Sequence, residues 1–364
     1  MAPRDRKGSA PQEIRFCRAP DGVRIAYAVH GNGPPLLIST CWLSHLQFDW
    51  ESPVWRHFVS ELGRIATVIR FDERGHGLSD WDVADLSLES RIGDLEAVAD
   101  DAGLDQFAMM AMAQGGPVAI SYTVRHPKRI SRLMFYDSYA NRLRGMAADD
   151  IELEDAFDPL IKAGWGRPES NFRRVFSSMM IPGATEQQMR WVDDLMRVSV
   201  SASTMVRAKQ ERNNADVSHL LPQLRVPTLV LHALGDRMNS FEHGRHLASS
   251  IRGARLVALE SQNHILLEDE PAWPVFLDEV ERFLAPDRAK SSVGPESAIL
   301  DTLTDRELEV LTLAAQGRDN EDIAEALRLS VRTVERHLQN IYGKLDIQGK
   351  SARAAAVARL LTTS

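Results

Sequence analysis

Residues 107–120 read FAMMAMAQGGPVAI. An apolar run, Phe107–Met112, passes through Ala111-Met112-Ala113-Gln114-Gly115, and Gly116 opens a stretch of small residues. This is the layout of a strand, a sharp turn and a helix on the pattern G-x-S-x-G, where a serine sits on a strained turn between small neighbours. Ala111 and Gly115 supply the smallness. Ala113 stands in the serine's place and has no oxygen with which to attack a carbonyl.

Working outward, the 364 residues are enough for a large core and two domains. The 44% hydrophobic and 26% charged content is that of an ordinary globular protein. A net charge of −8 gives no overall basic signal for nucleic acid, although a small basic domain would average out. Only Cys17 and Cys41 are present, which predicts a reducing compartment and no disulfide framework. The N-terminal MAPRDRKGSAPQE is polar and has no apolar h-region. No run approaches the ~18 apolar residues of a membrane span. The expectation is a cytoplasmic, soluble chain with no membrane partner, no metal and no cofactor.

Strand-like runs occur at 14–18, 23–29, 35–39, 66–70, 107–112, 131–136, 228–232 and 254–259. The first two flank Asp21-Gly22, a hairpin signal. The later ones are continuous and apolar, as in a sheet covered on both faces, and helical stretches such as 86–102 and 241–251 separate them. This predicts an α/β sheet with an antiparallel start. From about 141 to 221 there is helical periodicity without strands, with many Met and with Trp165 and Trp191. That segment reads either as a plain helical subdomain or as a cap over the strand ends, forming an adaptable apolar pocket.

Asp236 follows the strand 228–232 in HALGDRM, and His264 follows 254–259 in SQNH. With position 113 they give the chain order nucleophile, acid, histidine of an acyl-transfer triad, each at a strand's carboxyl end. Neither Ser121 nor Cys41 is placed to replace the missing hydroxyl, and Asp137 offers a second acid but no nucleophile. Residues 14–286 resemble the α/β-hydrolase family through FDERGHGLSD (71–80), AMAQGG, LHALGD and the NH turn. The resemblance implies that Trp42 and Gln114 offer backbone N–H groups to a carbonyl oxygen. Ala113 departs from the pattern, and Ala111 does so to a lesser degree. Two readings of the alanine stay open: a natural pseudo-hydrolase receptor, or a Ser→Ala form of an enzyme.

A Pro-, Ser- and charge-rich stretch, APDRAKSSVGPESA (285–298), precedes a segment without strands, so 287–298 reads as a linker and 299–364 as a second domain. Thr304-Asp305-Arg306-Glu307 is a capping box. It opens a helix carrying Leu308, Val310, Leu311 and Ala314 inward and ending at Gly317. Asp319 and Ser330 cap two further helices, with Ile323, Ala324 and Leu327 inside the first and Val334, Leu338 and Ile341 inside the second. A fourth, Ala-rich helix spans about 351–361. Residues 298–327 hold two basic and eight acidic residues (net −6), and 328–364 hold seven basic and two acidic (net +5). That polarity is the footprint of phosphate contact.

The run LTDRELEVL…GRDNEDIAEALRLSVRTVERHLQNIYGKL resembles the LuxR-type DNA-binding domain. The resemblance implies that Glu335, Arg336 and Gln339 face base edges, that Thr333, Asn340 and Lys344 face phosphates, and that the fourth helix pairs two copies. The whole chain then reads as an α/β-hydrolase fold with a helical cap, plus a small all-α helix-turn-helix domain. Its expected function is regulation of transcription, with double-stranded DNA, a small apolar acyl, ester or lactone-type effector and a second copy of itself as partners. The alternative is a catalytic regulator that hydrolyses its own signal.

Overall fold

The computed structural model describes residues 11–39, 43–168, 171–285, 303–315, 318–345, 347, 352–353 and 356–357. Contacts divide the chain into two compact units, Met1–Leu284 and Ala285–Ser364. The 287–298 linker, Gly317 and most of the fourth C-terminal helix lie outside the described residues.

Among the described residues the first unit is built on eight strands: β1 (Glu13–Arg18), β2 (Arg24–Gly31), β3 (Pro35–Ser39), β4 (Thr67–Phe71), β5 (Phe107–Met112), β6 (Ile130–Tyr136), β7 (Thr228–Ala233) and β8 (Arg255–Leu259). Their order in the sheet is β1-β2-β4-β3-β5-β6-β7-β8. β2 pairs antiparallel with β1 and with β4, and every other pairing is parallel. The hairpin turn is at Gly22, whose φ of 89° favours glycine.

The apolar runs are continuous because both faces of the sheet are covered. Ala108, Met110 and Met112 of β5 belong to one core, with Phe58 and Leu62 of α2 (Arg56–Ile65) and Phe276 and Val280 of α10 (Ala272–Leu284). Phe107, Met109 and Ala111 belong to the other. There they meet Leu95 and Val98 of α3 (Leu88–Asp101), Ile120 and Tyr122 of α4 (Gly115–Arg125), and Leu247 of α9 (Phe241–Ser250). Period-two alternation thus sends one strand into two cores.

The interval between β6 and β7 is helical, with α5 (Ala148–Gly164), α6 (Asn171–Met180), α7 (Glu186–Ser199) and α8 (Ala202–Asn214). Thr185 and Gln188 form a full capping box at the start of α7. Trp165 is fully buried and donates its indole N–H to Val200 O, while Trp191 stacks on Phe48. Both tryptophans are packing residues of this cap. No helix among the described residues is long and apolar enough to cross a membrane.

In the second unit, helices Asp305–Ala315, Asn320–Leu327 and Val331–Lys344 surround a core that includes Val310, Leu311, Ile323, Val334, Leu338 and Ile341. Leu308, expected inside, is 42% exposed, because the buried stripe runs through 307, 310, 311 and 314.

Candidate functional site

β5 ends at Met112 and α4 begins at Gly115, which leaves Ala113 in a left-handed conformation, φ 45°. Its amide donates to Tyr136 O (3.1 Å), and its carbonyl accepts the Ser138 hydroxyl (2.6 Å). A Cβ on Gly115 would stand 2.4 Å from Ser39 O, and one on Gly116 would stand 2.1 Å from Tyr139 O. The two glycines let the turn press against the ends of β3 and β6. The left-handed turn is formed, and the residue on it carries no hydroxyl.

Asp236, beyond β7, accepts the His264 Nδ1 hydrogen bond at 2.7 Å through Oδ2, and Oδ1 takes the amides of Met238 (2.7 Å) and Asn239 (3.2 Å). Burial alone would raise the Asp236 carboxyl, but the His264 ring beside it holds it below the usual range. His264 is clamped on two sides. Its amide donates to Met180 O of α6 (2.7 Å), and Tyr136 Oη donates to its carbonyl (2.9 Å). Asp137, after β6, is also left-handed (φ 46°) and fully buried, and it accepts the Ala233 amide at 2.7 Å. Burial and the charge of Asp236 push its carboxyl well above the usual range. Asp137, Asp236 and His264 bring ligand atoms within 4.8 Å of one another. Asp236 and His264 already satisfy each other as an acid–histidine pair.

Ala113, Gln114 and His264 line one cavity of about 90 Å³. That is room for a small organic group, since one water needs only ~10–15 Å³. The cap supplies Phe157, Ile161, Phe176, Met179 and Met205, and also Glu154, Lys209 and Arg212. The lining is therefore not the purely apolar one that the Met-rich cap predicts. FDERGHGLSD is a brace for this region. Asp72 accepts the amides of Leu46 (3.2 Å) and Leu78 (2.8 Å), Arg74 bonds Asp94 and Asp21, and Glu73 pairs with Arg212 at 2.7 Å.

In the second unit Thr304 and Glu307 make the expected capping box, with Thr304 N–H donating to Glu307 at 2.8 Å and Glu307 N–H to Thr304 at 3.3 Å. Asp319 and Ser330 cap the next two helices. Between those helices Arg328 takes the left-handed cap conformation (φ 53°), and Leu329 N–H closes the turn onto Ala324 O (2.8 Å). On helix Val331–Lys344, Glu335, Arg336, Gln339 and Asn340 are exposed opposite the buried Val334, Leu338 and Ile341. Thr333 lies in its first turn, where its amide donates to Ser330 Oγ (3.1 Å). Lys344 also pairs with Glu307 at 2.6 Å, an intradomain contact that its expected phosphate role did not foresee. Of the fourth helix, Ala352 and Ala356 are buried and Arg353 bonds Asn320.

Comparison with known proteins follows the same division. A profile described as "alpha/beta hydrolase fold" matches residues 34–271. The chain belongs to the α/β-hydrolase fold family. A profile described as "Bacterial regulatory proteins, luxR family" matches residues 301–357, so the fused C-terminal unit is a LuxR-type DNA-binding domain. The AB hydrolase superfamily protein YisY of Bacillus subtilis is 25% identical over 244 residues, 64% of this chain and 86% of that protein. The transcriptional regulatory protein LiaR of the same organism is 43% identical over 54 residues, 15% of this chain and 26% of LiaR. Among solved structures, the esterase EaEST of Exiguobacterium antarcticum superposes with a TM-score of 0.63 at 21% identity, over 75% of this chain and 99% of its own. It shows the shared fold.

Within the α/β-hydrolase unit, the geometry brings Ala113, Gln114, Asp236 and His264 together as the motif order implies. Trp42 and Cys41 lie outside the described residues, so the first half of the oxyanion site is not placed. Ser121 sits inside α4, buried at 2% exposure, and does not line the cavity. Sequence reasoning missed Arg212 and Lys209. The signal was present: AKQERNN (208–214) is polar where a cap helix would otherwise carry apolar periodicity.

Proposed function

We propose that the chain is a ligand-responsive, DNA-binding transcriptional regulator whose hydrolase-like cavity holds a small acyl, ester or lactone-type molecule without turning it over. The observation that carries this reading is Ala113 on an intact nucleophile turn, in one cavity with His264 and backed by Asp236, in a chain that also has a LuxR-type domain. Removing a serine nucleophile costs on the order of 10⁶ in turnover while leaving binding groups in place. A site of this kind retains a carbonyl compound instead of consuming it. The regulator acts in the cytoplasm as a homodimer on double-stranded DNA. Occupancy changes DNA binding only to the extent that the effector favours one state of the protein.

Glu335, Arg336 and Gln339 would read base edges, and Thr333, Asn340 and Lys344 would hold phosphates. An arginine paired with guanine and a glutamine paired with adenine suit this task. The second reading, a catalytic regulator seen in its Ser→Ala form, is favoured by the retained Asp236–His264 pair.

One experiment tests both. Ala113→Ser and the unsubstituted chain are incubated with p-nitrophenyl acetate, and compounds released from the denatured proteins are identified by mass spectrometry. The receptor reading expects a retained small molecule in the Ala113 protein and no hydrolysis by it. Hydrolysis by Ala113→Ser alone, raised by several orders of magnitude, supports the catalytic reading. Hydrolysis by the unsubstituted chain sinks the first.

A further inference from the structure

Arg212 has no part in the triad geometry, yet it lies on α8, is only 5% exposed and lines the cavity that holds Ala113 and His264. Its Nη2 donates to Glu73 (2.7 Å), while its Nε and Nη1 are buried with no hydrogen-bond partner among the described residues. Arg91 on α3 is equally buried, and all three of its guanidinium nitrogens lack a hydrogen-bond partner among the described residues. Both guanidiniums act on Glu73. Against its burial they hold that carboxyl below the usual range. Two buried cations therefore share one buried carboxylate. Half-buried Glu211 is the next anion in range, and it bonds to neither. His76, packed beside them, is pushed down to about 4 by its burial and by Arg212, so near neutral pH it adds no charge.

The other cations on the cavity wall have acids of their own. Arg142 pairs with Glu154 (3.2 Å), and Lys209 with Asp158 (2.9 Å). Gln114, next to Ala113, contributes one more buried donor to the cavity, an Nε2 with no partner among the described residues. A charge excess walled off from water persists only where something compensates it. The wall therefore presents buried donors on Arg212 and Gln114, with the Arg91 charge behind them, that call for acceptor oxygens and a negative charge.

We propose that the effector carries a carboxylate, which Arg212 receives, with Arg91 supplying the excess charge behind it and Gln114 donating beside Ala113. This rests on the ligand-binding reading of the cavity and narrows it to acyl acids. A monoanion suits two guanidiniums that already share Glu73, whereas a phosphate group would bring ~1.5–2 negative charges. The apolar cap residues Phe157, Ile161 and Met205 take the remainder of the molecule. Because Arg212 also ties α8 to the loop after β4 through Glu73, a carboxylate that competes for it changes the bond holding cap to core.

The test uses the full chain, thermal unfolding at constant ionic strength near neutral pH, and two probe pairs: butyrate with butyramide, and benzoate with benzamide. Each amide copies the shape of its acid without the charge. The acids are expected to raise Tm saturably, with apparent Kd about tenfold or more below that of their amides. Arg212→Gln should bring that ratio to one. Glu73→Gln, which removes the competing carboxylate, should tighten acid binding, and it serves as the test if Arg212→Gln does not fold. Equal binding of acid and amide, or an acid preference that survives Arg212→Gln, overturns the anion site and leaves the ligand pocket standing. No Tm shift with any of the four probes overturns both.

Discussion

At Ala113 an L-residue holds φ 45°, a conformation that costs roughly 1–2 kcal/mol wherever a Cβ is present. Ala113→Gly should therefore stabilise the first unit, by up to ~1 kcal/mol after the greater backbone entropy of glycine is counted. A urea midpoint that falls in this variant would contradict the strain. Asp137 carries a pH signature of the opposite hand to Asp236. Its folded-state carboxyl is raised, so its contribution is complete below the unfolded value of ~3.9 and is lost as pH rises towards the folded value. The stability of Asp137→Asn should accordingly gain on the unsubstituted chain as pH rises above ~4, measured as paired urea midpoints. Asp236, held low by His264, contributes stability that is lost on acidification. Position 113, Asp236 and His264 were legible because short motifs fix each one locally. The pairing of Arg212 with Glu73 was not, because the two stand 139 residues apart in sequence and no spacing rule connects them.

Elements were legible where burial is uniform. β5 and β3 run as the apolar stretches predict, and the other strand ends differ by a residue or two. Periodicity gives a buried face but not the neighbour that fills it. That is why Leu308 turned outward and why the cap tryptophans were packing residues rather than pocket walls. The same limit hid Arg328, where a left-handed cap is made without the glycine that usually announces it. The β5–α4 connection is a tight joint, since the carbonyl of Tyr139 occupies the space a side chain on Gly116 would need. Gly116→Ala should destabilise the first unit by about 1–3 kcal/mol or prevent its folding, read by near-ultraviolet circular dichroism and urea titration. A variant as stable as the unsubstituted chain would mean that β6 and α4 are not held this closely.

On the scale of the whole chain, the two units divide the chemistry. The first holds a cavity, and the second an exposed row of polar side chains on helix Val331–Lys344. Arg336→Ala should lower affinity for the specific site by about 1–3 kcal/mol in a mobility-shift assay, while the acid-induced rise in Tm of the first unit stays unchanged. Unchanged DNA binding would move the reading face elsewhere. The retained left-handed turn at Ala113 also sets a time scale. If the cavity is a receptor site, each response lasts as long as the molecule stays bound, so dissociation alone ends it. A serine at the same position would turn residence into consumption, and the cell would have to keep synthesising the signal to keep the response alive. One side-chain oxygen thus separates a gauge of how much signal is present from a clock that runs only while the signal is being made.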